Sequence, residues 1–146
     1  MKTVEELTKE ILEQGHLMSL ATIDDGGPWV SDVIYVHREP LEIFWMSDSN
    51  TRHSRAIHKD ARVAATITIG DGKGGANIGL QISGIAEKIE GDILEVATKH
   101  RAKRGKPHPT KEGEILEDSE SWYRLKPTKL ELIYEPHFGF EKKKIL

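Results

Sequence analysis

Residues 41–69, LEIFWMSDSNTRHSRAIHKDARVAATITI, read as a strand, a polar turn, a short basic helix and a second strand. Leu41, Ile43 and Trp45 alternate with Glu42, Phe44 and Met46, the period of two that a pleated strand imposes. Ser47-Asp48-Ser49-Asn50 is a run of short polar side chains of the kind that cap helices and close turns. Thr51 to His58 holds neither glycine nor proline and is long enough for about two helical turns. From Arg62 the chain returns to a β-rich run, Val63-Ala64-Ala65-Thr66-Ile67-Thr68-Ile69.

The junction of strand and helix collects a particular chemistry. Ser47, Ser49 and Thr51 supply hydroxyls, and Arg52, His53 and Arg55 supply positive or switchable charge in the first helical turn. A helix start presents unpaired N–H groups and the positive end of a dipole, so it attracts anions and disfavours cations. Cations placed there fit either a bound phosphate or a solvated basic helix, and these residues alone leave both open.

Upstream, Thr3-Val4-Glu5-Glu6 is a capping box, and Val4, Leu7, Ile11 and Leu12 share one helical face, which predicts a helix over 4–14 with Gly15 as its C′ residue. From His16 the period changes to two. Leu17 to Ile23 is a strand, Asp24-Asp25-Gly26-Gly27 a turn, and Trp29 to Val36 the next strand, opened by Pro28. Asp32 interrupts one face of that strand, so it meets a ligand or faces solvent. Arg38-Glu39-Pro40 turns the chain into 41–69.

Downstream, residues 70–77 are glycine-rich but match neither Gly-x-x-x-x-Gly-Lys-Ser/Thr nor Gly-x-Gly-x-x-Gly opening a helix, so they read as a mobile hairpin loop. The strand Ile78 to Ile89 contains Gly79 and Gly84, which suggests a bulge or a close backbone approach. Gly91-Asp92 starts a helix with Ile93, Val96, Ala97 and His100 on one face, whose basic end, residues 99–106, reads as solvated. Residues 106–121 lack periodicity and read as a loop. Trp122 to Tyr134 form a last strand, broken or bulged at Pro127, and the tail mixes apolar and basic residues.

Short turns join most of the strands. The expected fold is therefore mainly β, a six-stranded antiparallel barrel with an N-terminal helix and two short internal helices. A chain of 146 residues makes one domain, 1–146. At 37% hydrophobic and 31% charged it has little apolar surface to spare, which a second copy would supplement. The net charge of −3 and pI near 6.2 give no general pull toward nucleic acid, and no apolar window suits a membrane span. Without cysteine there is no disulfide, thiolate nucleophile or Cys-ligated metal, and the seven histidines make no metal-ligand spacing. The expectation is a soluble cytoplasmic protein with neither metal, nucleic-acid partner nor membrane partner. No residue stands out as a catalytic acid, base or nucleophile.

Three stretches in this order, HLMSLATIDDGGPWVSDVIYVH, LEIFWMSDSNTRHSRAIHKDARVAATI and GLQISGIAEKIEG, resemble the flavin-binding split-barrel family typified by pyridoxamine 5′-phosphate oxidase. The similarity covers roughly residues 5–135, and the C-terminal stretch resembles a small bacterial subgroup. The resemblance implies a Greek-key split barrel, a homodimer, and FMN bound at the subunit interface. Met46 and Ser47 then sit where the strand end meets the flavin, and Thr51, Arg52 and His53 where its 5′-phosphate is held. The family often has lysine at the place of His53. Asp32, Val33 and Ile34 belong to the strand whose backbone runs beside the isoalloxazine ring, and Gln81 and Ser83 are ring or ribitol contacts. The oxidase's arginine is missing from Ser31-Asp32-Val33, and its C-terminal Trp…Arg-Leu-Ala-Pro segment survives only as Trp122-Tyr123-Arg124-Leu125-Lys126-Pro127. Pyridoxamine phosphate oxidation is thus not the expected reaction. The resemblance implies an oxidoreductase on another small substrate; the alternative is a non-catalytic flavin or haem binding and storage protein.

Overall fold

The computed structural model describes residues 1–70, 74–91, 93–109 and 120–146. Alternation has become a closed barrel. Strands β1 (Leu17–Asp24), β2 (Gly27–Arg38), β3 (Glu42–Asp48), β4 (Arg62–Thr68), β5 (Ile78–Ile89) and β6 (Glu120–Tyr134) pair antiparallel in the order β3-β2-β1-β4-β5-β6, and β3 closes the ring on β6. Placing β4 beside β1 after the β1-β2-β3 meander is the Greek-key step. Closure removes every barrel edge.

The inward positions are the apolar set of each strand. Met18 and Leu20 from β1, Tyr35 from β2, Ile43 and Trp45 from β3 and Ile67 from β4 are buried, as are Leu80 from β5 and Leu125 from β6. Helix α1 (Val4–Gln14) adds its Leu7, Ile11 and Leu12 to this core. Its Thr3 capping box is formed in both directions. Each such fully buried aliphatic side chain contributes about 2 kcal/mol of transfer free energy. A second, smaller core lies under helix α3 (Leu94–Lys103), where Val96 and Ala97 pack on Val36, Phe44 and Trp122.

Several expectations change in detail. Gly15 ends α1 in extended backbone, φ −64°, so it does not serve as a left-handed cap. It is required by proximity: a Cβ there would lie 2.6 Å from Ile67 Cγ2 and closer still to the Tyr35 hydroxyl. Gly84 likewise makes room for the Lys126 carbonyl, and the register slips by one residue between Ser83 and Gly84 opposite Pro127. The strand therefore bulges there and runs on unbroken. The basic end of α3 is only partly solvated. Lys99 Nζ donates to the His37 carbonyl (3.1 Å), His100 Nε2 lies 3.2 Å from the Ile34 carbonyl, and Lys103 Nζ donates to that of Tyr35. β1 pairs with β2 only as far as Ile34, so these α3 side chains take up carbonyls near and beyond the end of that pairing.

The tail is ordered beyond expectation: a short helix α4 (Glu135–Phe138) and a seventh strand β7 (Lys142–Lys144) that pairs with β6. The three lysines of β7 charge the exposed sheet edge. Trp45 and Trp122 are core residues, whereas Trp29 stays 43% exposed. Asp32 faces outward and accepts a hydrogen bond from Ser19 Oγ at 2.7 Å. The tip of the loop expected at 70–77, Asp92, and residues 110–119 of the loop expected at 106–121 lie outside the described residues. No helix among the described residues is long and apolar enough to cross a membrane, and none of their His, Asp and Glu side chains cluster as metal ligands.

Candidate functional site

The end of β3 and the start of helix α2 (Arg52–Lys59) form a hydrogen-bonded knot. Thr51 is the N-cap: its Oγ1 accepts the Ser54 amide (3.2 Å) and donates to the Asp48 carbonyl (2.9 Å). His53 Nε2 lies 2.9 Å from the buried Ser47 hydroxyl and 3.3 Å from Thr51 Oγ1. Burial lowers the pKa of His53, so the imidazole is neutral near pH 7 and brings hydrogen bonds without charge. What remains open to a ligand is backbone. Among the described residues nothing accepts the amides of Arg52 and His53, the first two of the helix. Met46 turns away, and its side chain packs against the smaller core.

Arg52 points elsewhere. Its Nε and Nη2 donate to the two carboxylate oxygens of Asp24 at 2.8 and 3.0 Å, and its guanidinium carbon lies 4.3 Å from the centre of the Trp29 ring. The β1–β2 turn can come this close because Gly26 has no side chain: a Cβ there would sit 2.8 Å from Arg52 Nη2. The arginine and the adjacent Gly26 amide hold the Asp24 carboxyl below its usual range. Between this turn and α2 opens a cleft of about 590 Å³ lined by Asp24, Asp25, Arg52, Arg55, His58 and Lys59. The helix thus offers two chemistries, a neutral knot on one side and a charged cleft on the other.

A second chain of groups reaches the cleft and was not foreseen. Tyr123, fully buried on β6, lies with its hydroxyl 3.2 Å from His58 Nε2 and 3.4 Å from Ser49 Oγ, which in turn is 3.0 Å from Ser121 Oγ. The Tyr123 ring stacks on Trp45 (5.8 Å, 12°) and on His58 (5.9 Å, 23°), so aromatic contact runs from the core to the cleft wall. Sixty-five residues separate His58 from Tyr123, and no local pattern announces such a pair.

The remaining expected residues are dispersed. Asp32, Ser19, Thr66 and Gln81 are successive cross-strand partners on the barrel's outer wall, which puts Gln81 three strands, about 14 Å, from Asp32. Gln81 lines a different groove, of about 360 Å³, with Phe140 and Lys142 of the tail. Val33 points into the core, and the carbonyl of Ile34 is engaged by His100. Within one chain, then, Ser47, Thr51 and His53 come together, Arg52 stands beside them, and Asp32 and Gln81 do not join them.

A family model described as pyridoxamine 5′-phosphate oxidase matches residues 4–134. The chain belongs to that family. No curated protein matches the sequence. Among solved structures, the haem storage protein HutZ from Vibrio cholerae superposes with a TM-score of 0.72 at 21% identity, covering 90% of this chain and 96% of its own. A haem-binding protein from Mycobacterium smegmatis gives 0.70 at 19%, covering 99% of this chain and 58% of its own. An F420 reductase gives 0.62 at 18% identity, covering 84% of this chain and 94% of its own. At these identities the likeness is one of fold. Membership of the pyridoxamine 5′-phosphate oxidase family and the closed barrel agree, since the matched span runs from α1 through β6.

Proposed function

We propose that this chain is an FMN-binding flavoprotein, an oxidoreductase acting on a small substrate, with the flavin held at the interface of a cytoplasmic homodimer. The observation that carries the proposal is the open start of α2, where two unclaimed amides stand beside a capping hydroxyl and an arginine. A phosphate monoester suits these donors, because the two amides and the guanidinium donate and none competes as an acceptor. Ser47 and His53 support that turn by fixing Thr51. The outward backbone of β2 at Asp32 to Ile34 offers an extended ledge for a planar ring. When bound, the flavin supplies the electron-pair transfer, and this chain's residues bind and orient it.

The outer wall supports the dimer. Val30, 61% exposed, lies opposite Ala21, which lies opposite Ala64, and Ile23 on β1 and Ile85 on the neighbouring β5 are more than 40% exposed. Small and apolar side chains grouped on one wall favour a protein partner, and a second copy meets the need for more burial.

Haem binding is the second reading. It is favoured by His58, an exposed imidazole on the cleft wall, and by two similar folds described as haem proteins. Absorbance spectra of purified protein, before and after incubation with FMN and desalting, separate the two. Retained flavin bands that are lost in Arg52→Ala support the flavoprotein. A Soret band that is lost in His58→Ala supports haem, and the absence of both chromophores defeats both. Flavin retained but not reduced by NADH or NADPH would assign storage.

A further inference from the structure

At the start of α2 the guanidinium that a ligand phosphate would use is already occupied. Asp24 holds it through both carboxylate oxygens, Trp29 covers one face, and Gly26 leaves space only for this approach. The bond geometry is that of an arginine on a phosphate, with a carboxylate in the phosphate's place. Asp24 belongs to the same chain and cannot diffuse away, so it presents a standing local concentration of competing anion. Asp25, also on the cleft, adds negative charge without reaching Arg52, while Arg55, His58 and Lys59 line the opposite wall.

We propose that Asp24 is a specificity-determining residue of this site, an intramolecular competitor that lowers its affinity for phosphate-bearing ligands relative to the same ligands without phosphate. The proposal rests on the flavin reading and deepens it. Arg52 released from Asp24 keeps its stack on Trp29, so the guanidinium stays oriented while its paired edge becomes free. Removing the carboxylate also removes its repulsion of an incoming dianion. Both effects have the same sign. Asp24→Asn conserves the turn, because the amide oxygen still accepts the Gly26 N–H now 2.8 Å from Oδ1.

The test is titration of FMN and of riboflavin by quenching of flavin fluorescence. The proteins are the wild type, Asp24→Asn, Asp24→Glu and Asp25→Asn, each checked for a native far-UV spectrum. Asp24→Ala stands in if the asparagine variant misfolds. Asp24→Asn should bind FMN up to about fivefold more tightly, the range of a partly exposed ion pair, with riboflavin unchanged. Asp24→Glu should stay at wild-type affinity, and Asp25→Asn should gain less. The proposal is overturned if Asp24→Asn binds FMN no better or worse, since Asp24 then orients Arg52. It is equally overturned if both flavins shift together, or if Asp25→Asn gains as much. Failure of every protein to bind either flavin would bring down the flavin reading and this inference with it, whereas FMN binding without a selective gain sinks the inference alone.

Discussion

Replacing Gly15 by alanine probes how tightly α1 is seated on the barrel. The backbone there, φ −64° and ψ 144°, suits alanine, and on conformational entropy alone the change would stabilise by about 0.4–1 kcal/mol. Packing opposes it. The new methyl would overlap the Tyr35 hydroxyl and approach Ile67 Cγ2 to 2.6 Å. Tyr35 is fully buried, and its hydroxyl donates to the Leu12 carbonyl at 2.8 Å, so it cannot retreat without losing that bond. Overpacking costs about 1–3 kcal/mol and the lost hydrogen bond about 1 kcal/mol, which against the entropic gain leaves a net loss of roughly 1–3.5 kcal/mol. Tyr35→Phe alone should cost about 1–3 kcal/mol by stranding the Leu12 carbonyl. In that background Gly15→Ala no longer meets the hydroxyl, which was its closest neighbour, and keeps only the contacts with Ile67 Cγ2 at 2.6 Å and the Ile11 carbonyl at 3.1 Å. The two changes should therefore be non-additive, with a coupling of at least about 1 kcal/mol. Urea unfolding of the four proteins, with m unchanged, measures this. Additivity within about 0.5 kcal/mol would refute the steric account of Gly15.

Three further outcomes follow from the same structure. Gly84→Ala should lose about 1–3 kcal/mol in urea unfolding, because its Cβ would meet the Lys126 carbonyl and lie 2.8 Å from Leu125 Cδ1; wild-type stability would contradict the close approach. His53 has its pKa lowered by burial, so below about pH 6.5 the unfolded chain takes up a proton that the folded chain refuses, and stability falls as the pH drops. His53→Gln should flatten the fall between pH 7 and 5.5, leaving the share due to His37, whose pKa is also lowered by burial. Lys103, with its pKa lowered to about 8 by burial, should make stability rise from pH 8 to 10, because the unfolded lysine keeps its proton over that range. Melting curves that show the same rise in Lys103→Met would assign it to other groups.

The sequence by itself determined the elements and their order from α1 to β6. Thr3 caps a helix, the alternation of β1 to β5 sets which side chains turn inward, and the strand–turn–helix at 41–59 gathers Ser47, Thr51 and His53. Each of these depends on residues within a few positions of one another, where the periods of helix and strand act directly. The tertiary structure alone decided what those residues touch. Arg52 finds Asp24 twenty-eight positions away, Tyr123 finds His58 sixty-five away, and the lysines of α3 cover β2 carbonyls rather than pointing freely into solvent. Gly15 ends α1 as expected, but what requires glycine there is clearance for a tyrosine on another strand. The tail hid β7 because three lysines carry no strand signal of their own; β6 supplies the pairing. Register, twist and barrel closure fix such pairs, and these are properties of all the strands together that no local window contains.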